Sequence, residues 1–249
     1  MNKKTWTAFR KTAGRYRTLI DEISAVPDLS VHIQRLVDNR EGPSYTVDTP
    51  AVYNLALDEF TQDSELKMIL VADNPGRREQ AAENRRYLVG PSGKIAEKFF
   101  RDNPVLGITF RKNVLILNKT PIHTPRTAEL KELCKIGGKK LSDAVISSQQ
   151  VMVELLAEFW GTLRQARDSF PVWIIGYSEM KKGGIFEVYT EKLKTLCADN
   201  SAFKESIFFY RHFSMNQFTI DLKQQTKPGE NLKRSLVRIG TAYRDRLLG

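Results

Sequence analysis

The chain has 249 residues, 41% of them hydrophobic, enough for one sizeable core or two small ones. Its formal net charge of +10 suits polyanionic partners, and no stretch approaches the ~20 apolar residues of a membrane span. Two cysteines, Cys134 and Cys197, exclude a four-thiolate zinc or iron–sulfur site. The three histidines, His32, His123 and His212, are too scattered for a zinc motif, so no metal and no cofactor is expected.

The N-terminus, MNKKTWTAFRKTAGRYR, is basic and lacks the apolar core of a secretory signal. A cytoplasmic chain with reduced thiols is expected, opening on a basic amphipathic helix near 5–24. The first β-rich apolar run is LKMILVA at 66–72, followed at once by Asp73-Asn74-Pro75-Gly76. An amphipathic helix at 92–102 opens at Ser92. The second run, VLIL at 114–117, ends against Asn118. A long helix is predicted near 140–168, with Met152, Leu155, Leu156, Phe159 and Leu163 at helical spacing. VWII at 172–175 leads into Gly176, Tyr177 and Ser178, and a helix follows near 185–197. IFFY at 207–210 leads into Arg211, His212, Phe213 and Ser214, and a basic helix near 231–247 closes the chain.

Runs this short and continuously apolar are strands buried on both faces. Their alternation with helices predicts an α/β fold: three layers, α/β/α, around a central, mostly parallel four-stranded sheet. One domain over 1–249 is expected, with basic helical extensions at both ends. There is no internal repeat, and a monomer is expected.

Ligands of open parallel sheets bind beyond the carboxyl ends of the strands. Here those ends carry an acid, two amides and a histidine: Asp73, Asn74, Asn118 and His212. If the strands are parallel and adjacent, these groups converge on one crevice. The stretch GPSGK at 90–94 is not a Walker loop, because Leu88 and Ile95 stand where that pattern needs Gly and Ser or Thr. A G-x-G-x-x-G turn and a G-x-S-x-G elbow are also absent. Backbone N–H groups near Gly90 and Gly93 suit an anion at the start of the following helix. His123, in a proline-flanked loop, reads as incidental.

Taken together, the strand-end motifs resemble the uracil-DNA glycosylase superfamily. ADNPG at 72–76 is similar to the superfamily's first turn, and YLVGPSG at 87–93 to the segment that follows it in one branch. LILN ending at Asn118 resembles the base-reading strand end, and His212-Phe213-Ser214 the final H-P-S motif. The resemblance spans roughly residues 65–220. Ala72, Leu88 and Phe213 depart from it, standing where the superfamily has Gly, a stacking aromatic and Pro. The iron–sulfur cysteines of one branch are missing.

The resemblance implies a glycosylase that breaks the N-glycosidic bond of uracil or another altered base in DNA, single- or double-stranded. Asp73 or Asn74 would handle the water, and His212 would donate to the departing base. Asn118 would read the base edge, and Tyr87, beside Leu88, would supply a stacking face. Arg77, Arg78, Arg85, Arg86, Ser92 and Ser214 would grip DNA phosphates. Met215, Asn216 and Phe218 follow the histidine, where the superfamily inserts a wedge into DNA. The alternative is a nucleic-acid-binding member of the same fold that has lost catalysis. A third reading is a small-molecule hydrolase or nucleotide binder on a similar sheet.

Overall fold

Four continuously apolar runs pair edge to edge in the computed structural model, which describes residues 1–165 and 169–249. They are β1 (Met68–Ala72), β2 (Val114–Asn118), β3 (Val172–Ile175) and β4 (Ile207–Tyr210). The sheet is all parallel, in the order β2-β1-β3-β4. Every residue of β1, β2 and β3 is buried, as expected when helices cover both faces. The result is a three-layer α/β/α fold.

The predicted strands are reproduced closely. Leu66 and Lys67 precede β1 rather than belonging to it, and Asn118 is the last residue of β2 rather than the first beyond it. The long helix spans Gly138–Arg164; the end predicted for it over 166–168 lies outside the described residues. Helix Pro91–Asp102 starts one residue earlier than predicted, because Pro91 suits the first helical position, where its missing N–H costs nothing.

One face of the sheet is aromatic. Trp173 of β3 stacks on Phe100 of helix Pro91–Asp102 and on Phe218 of helix Gln217–Gln225, and tilts against Tyr210 of β4. On the other side, helix Lys3–Ser24 packs on helix Gly138–Arg164 through Phe9 and Phe159. The terminal helices are therefore not extensions. Phe9 and Tyr16 of the first are fully buried, and helix Leu232–Leu248 lies along β4, where the Tyr210 hydroxyl donates to the Leu236 carbonyl at 3.0 Å.

That last contact is close because position 240 has no side chain. A Cβ there would meet Phe208 Cβ at 2.7 Å and the Tyr210 hydroxyl at 2.8 Å. Gly→Ala within a helix normally gains about 1 kcal/mol. Gly240→Ala should instead lose about 1–3 kcal/mol, since the crowded atoms belong to a strand Cβ and to a hydrogen-bonded phenol. Urea unfolding of the two proteins reads the sign directly.

Candidate active site

Because Ala72 pairs with Asn118 and Ile175 with Tyr210, the strands end nearly level, and the segments that follow them meet at one edge. A cavity of about 640 Å³ opens there. Of the sequence-predicted residues, Asp73, Asn74, Arg77, Arg78, Leu88, Ser92, His212 and Ser214 line it. Glu79, Thr124, Arg126, Thr127 and Met215 line it too.

Asp73 does not face the cavity alone. Lys119, the residue after Asn118, is fully buried and gives its ammonium to Asp73 Oδ1 and to the Ile175 carbonyl. Its backbone N–H is shared by the carbonyls of Ala72 and Asp73, at 2.9 and 3.0 Å. Burial pulls the Lys119 ammonium down from its ordinary pKa, and the Asp73 carboxylate opposes that. One buried lysine thus ties β1, β2 and β3 together at their carboxyl ends. A lysine just past a strand reads in the sequence as a solvated loop residue, and nothing in its spacing marks it as buried.

Asn74 is committed elsewhere. Its amide nitrogen donates to Thr124 Oγ1 at 2.8 Å and to the Ile122 carbonyl at 3.2 Å, and its oxygen accepts from Thr127 Oγ1 at 2.9 Å. It joins the turn after β1 to the loop after β2. Asp73 Oδ2, by contrast, makes no hydrogen bond among the described residues.

The segment 87–93 forms one wall. Leu88 has φ +54, a left-handed conformation that costs a branched side chain about 1–2 kcal/mol. Three groups hold it there. The buried Glu79 carboxyl accepts the Gly76 N–H at 3.1 Å and faces the N–H groups of Leu88 and Val89, and Arg111 donates to the carbonyls of Tyr87 and Leu88. Gly93 completes the frame, since a Cβ there would overlap the Leu88 carbonyl. Burial pushes the Glu79 carboxyl up to about 7, against the pull of those N–H groups and Arg111.

The left-handed turn sends Leu88 to the cavity and Tyr87 away from it. Tyr87 is fully buried, and its hydroxyl contacts the Val52 carbonyl at 2.6 Å and the Tyr16 hydroxyl. It supplies no stacking face, which corrects the expectation for it. Arg85 and Arg86 also leave the cavity. Arg86 pairs with Glu59, and only Arg77 and Arg78 of the four arginines reach the rim. Arg126 joins them from the loop after β2, a basic residue the sequence reading passed over. None of these three rim guanidiniums is paired with a carboxylate among the described residues, although Arg77 lies 4.7 Å above the Tyr45 ring.

His212 faces the cavity from the far side. Its Nδ1 accepts the Ser214 backbone N–H at 3.1 Å and contacts the Ser214 hydroxyl at 2.9 Å. A nitrogen that accepts carries no proton, so the neutral ring bears its N–H on Nε2. Burial lowers the pKa of the ring; Asp73 raises it and Lys119 lowers it further. His212 is therefore a neutral hydrogen-bond donor at neutral pH. Met215 and Asn216 follow with φ +51 and +56, and the Met215 side chain is 79% exposed at the cavity mouth. Phe213 and Phe218 are buried against each other and against Phe99, so Phe218 offers no wedge.

Asn118 does not line the open cavity. It is 1% exposed, and both its Oδ1 and its Nδ2 lack a hydrogen-bond partner among the described residues. Its register partner Ala72 does line the cavity. By the two-residue period of a strand, both project from the sheet face that helix Pro91–Asp102 covers. A buried amide with donor and acceptor both unmet costs a few kcal/mol and calls for a partner.

His123, which read as incidental in the sequence, is fully buried and structural. Its Nδ1–H donates to the Pro75 carbonyl at 2.7 Å, and Nε2 accepts from the Tyr45 hydroxyl at 3.0 Å. Both cysteines are free thiols. Among the described residues no helix is long and apolar enough to cross a membrane, and no cluster of His, Cys, Asp and Glu is placed to hold a metal ion. The sequence matches no known family model and has no significant match among curated proteins.

Burial holds the His123 pKa down at about 4, against an ordinary value of 6.5. The ring is neutral in the fold, while the unfolded chain takes up a proton below that ordinary value. Its contribution to stability is therefore complete above pH ~6.5 and lost as the pH falls to ~4, up to about 3 kcal/mol. Glu79, raised in the fold, acts in the opposite sense over pH ~4.5–7. Comparing wild type with His123→Gln by urea unfolding at several pH values isolates the histidine. The stability difference between the two proteins should shrink by about that amount on acidification.

Proposed function

We propose that the protein is a DNA glycosylase-type hydrolase that releases uracil or another altered base. The observation that carries this reading is the buried, unpartnered amide of Asn118 at a strand end beside the cavity. An amide offers one acceptor edge and one donor edge. Those match the adjacent N–H and C=O of a uracil or a 6-oxopurine, and such a base reaches a protein pocket only when pulled out of the stack.

The remaining residues supply the chemistry. The bond that breaks joins C1′ of the sugar to the base nitrogen, and its electron pair leaves with the base. His212 Nε2–H would stabilise the charge developing on the base carbonyl, in the manner of an oxyanion donor. The free Oδ2 of Asp73 would orient the water that adds to C1′ and face the cationic sugar. With Asn74 committed to the two threonines, Asp73 is favoured over it for this role. Arg77, Arg78 and Arg126, with Ser92 and Ser214, would hold phosphates at the rim. Exposed Met215 at the mouth suits the space left by an extruded nucleotide.

A second reading is a DNA-binding protein without catalysis. What favours it is the commitment of Asp73 Oδ1 to Lys119, together with an aliphatic Leu88 where a stacking ring would stand.

A base-release assay on single- and double-stranded oligonucleotides carrying uracil or hypoxanthine separates the two. On the first reading wild type releases base, and His212→Ala and Asn118→Ala each lower the rate about 10²–10³-fold. Folded wild type that binds these oligonucleotides but releases nothing supports the second. On either reading, Arg77→Ala, Arg78→Ala or Arg126→Ala should weaken binding. Each should flatten the dependence of log affinity on log salt by about one unit of slope.

A further inference from the structure

Lysine is among the side chains least often buried, and Lys119 has no exposed surface at all. Its ammonium meets the Asp73 carboxylate and the Ile175 carbonyl and lies 4.7 Å from the centre of the Phe186 ring. Ile175 ends β3, the strand that runs between β1 and β4, and it is the register partner of Tyr210, two residues before His212. The ammonium therefore lies across the carboxyl edge of the sheet, between Asp73 and the strand that carries His212. The next residue, Gly176, has φ +86, and any Cβ there would run into the Asp73 carboxylate. The fold keeps this volume for the ion pair.

We propose that Lys119 is the positioning residue of the pocket: it fixes the Asp73 carboxylate at the cavity wall and neutralises its charge in the cavity that His212 shares. The use of the neutral ring, as donor to a leaving base, rests on the glycosylase reading; the charge balance itself does not. Asp73, after β1, lines the cavity with His212, and the Lys119 ammonium, after β2, is held on that carboxylate; the two act on the ring with opposite sign. Arg77, Arg78, Glu79 and Arg126 share the cavity, and Glu179, beyond β3, acts on Lys119. In the histidine's own loop Ser214 is uncharged, and Arg211 pairs with Asp221 at 3.6 Å. Protonating the ring would place an N–H on Nδ1 against the backbone N–H of Ser214 and break the contact that orients it. A carboxylate in the same cavity would favour that protonation if nothing offset it.

The test is an NMR titration of the His212 ring from about pH 4 to pH 8, on the full chain, as wild type, Lys119→Met and Lys119→Met/Asp73→Asn. Circular dichroism confirms folding of each. Lys119→Met should raise the midpoint by about one unit, and the double variant should return it to within about 0.3 unit of wild type. A folded Lys119→Met whose midpoint rises by less than about 0.3 unit overturns the proposal. If that variant does not fold, the double variant decides: a midpoint within about 0.3 unit of wild type supports cancellation, and a larger displacement overturns it. The acid limb of any base-release profile should move with the ring. If wild type releases no base, the glycosylase reading falls, while the ring titration still decides the role of Lys119.

Discussion

The Lys119 ammonium has left water entirely to meet Asp73, and that move dictates what its neighbours can be. Taking two charges out of water costs several kcal/mol each, and their attraction repays it only with close geometry and further hydrogen bonds. Hence the Ile175 carbonyl stands on one side, the Phe186 ring on another, and a glycine without room for a side chain at 176. A pair of apolar side chains would join β1 to β2 at lower cost, so stability alone does not account for an ion pair here. Its position at the cavity wall, where it balances charge beside a histidine, does.

Charge is graded from the mouth inward. Three arginines with no carboxylate partner among the described residues stand at the rim; further in are the Asp73–Lys119 ion pair, the Glu79 carboxyl and a neutral imidazole, with the Asn118 amide buried beside the cavity. The rim is coupled to the floor through aromatic and imidazole contacts. Arg77 rests on Tyr45, Tyr45 donates to His123, and His123 holds the carbonyl of Pro75 in the turn after β1. Guanidiniums at the rim attract a polyanion to the mouth of the cavity.

The strands were legible in the sequence because a strand buried on both faces has to be apolar throughout, and no other segment imitates VLIL or VWII. The shared edge followed from the parallel order, which brings Asp73, Asn74 and His212 together. What stayed hidden depends on partners distant in sequence. Asn74 is committed by Thr124 and Thr127, some fifty positions on, and Lys119 is buried only because Asp73 and Ile175 wait for it. Tyr87 and Leu88 exchange roles through a single backbone angle that no propensity favours for leucine. Glu79 and Arg111 impose that angle, and each reads in sequence as an ordinary surface charge. The terminal helices read as appendages because their basic residues outnumber the few aromatic ones that anchor them.

The wall at 87–93 is held largely by its main chain: the Glu79 carboxyl faces N–H groups, Arg111 donates to carbonyls, and Gly93 yields space to a carbonyl, while the buried Tyr87 side chain anchors one end. The side chain at position 88 belongs to none of these holds. Left-handed backbone is more comfortable for Asn, Asp or Gly than for Leu. Replacing Leu88 by one of these would relieve strain at the cavity wall while giving up the contacts of a side chain that is buried in the core.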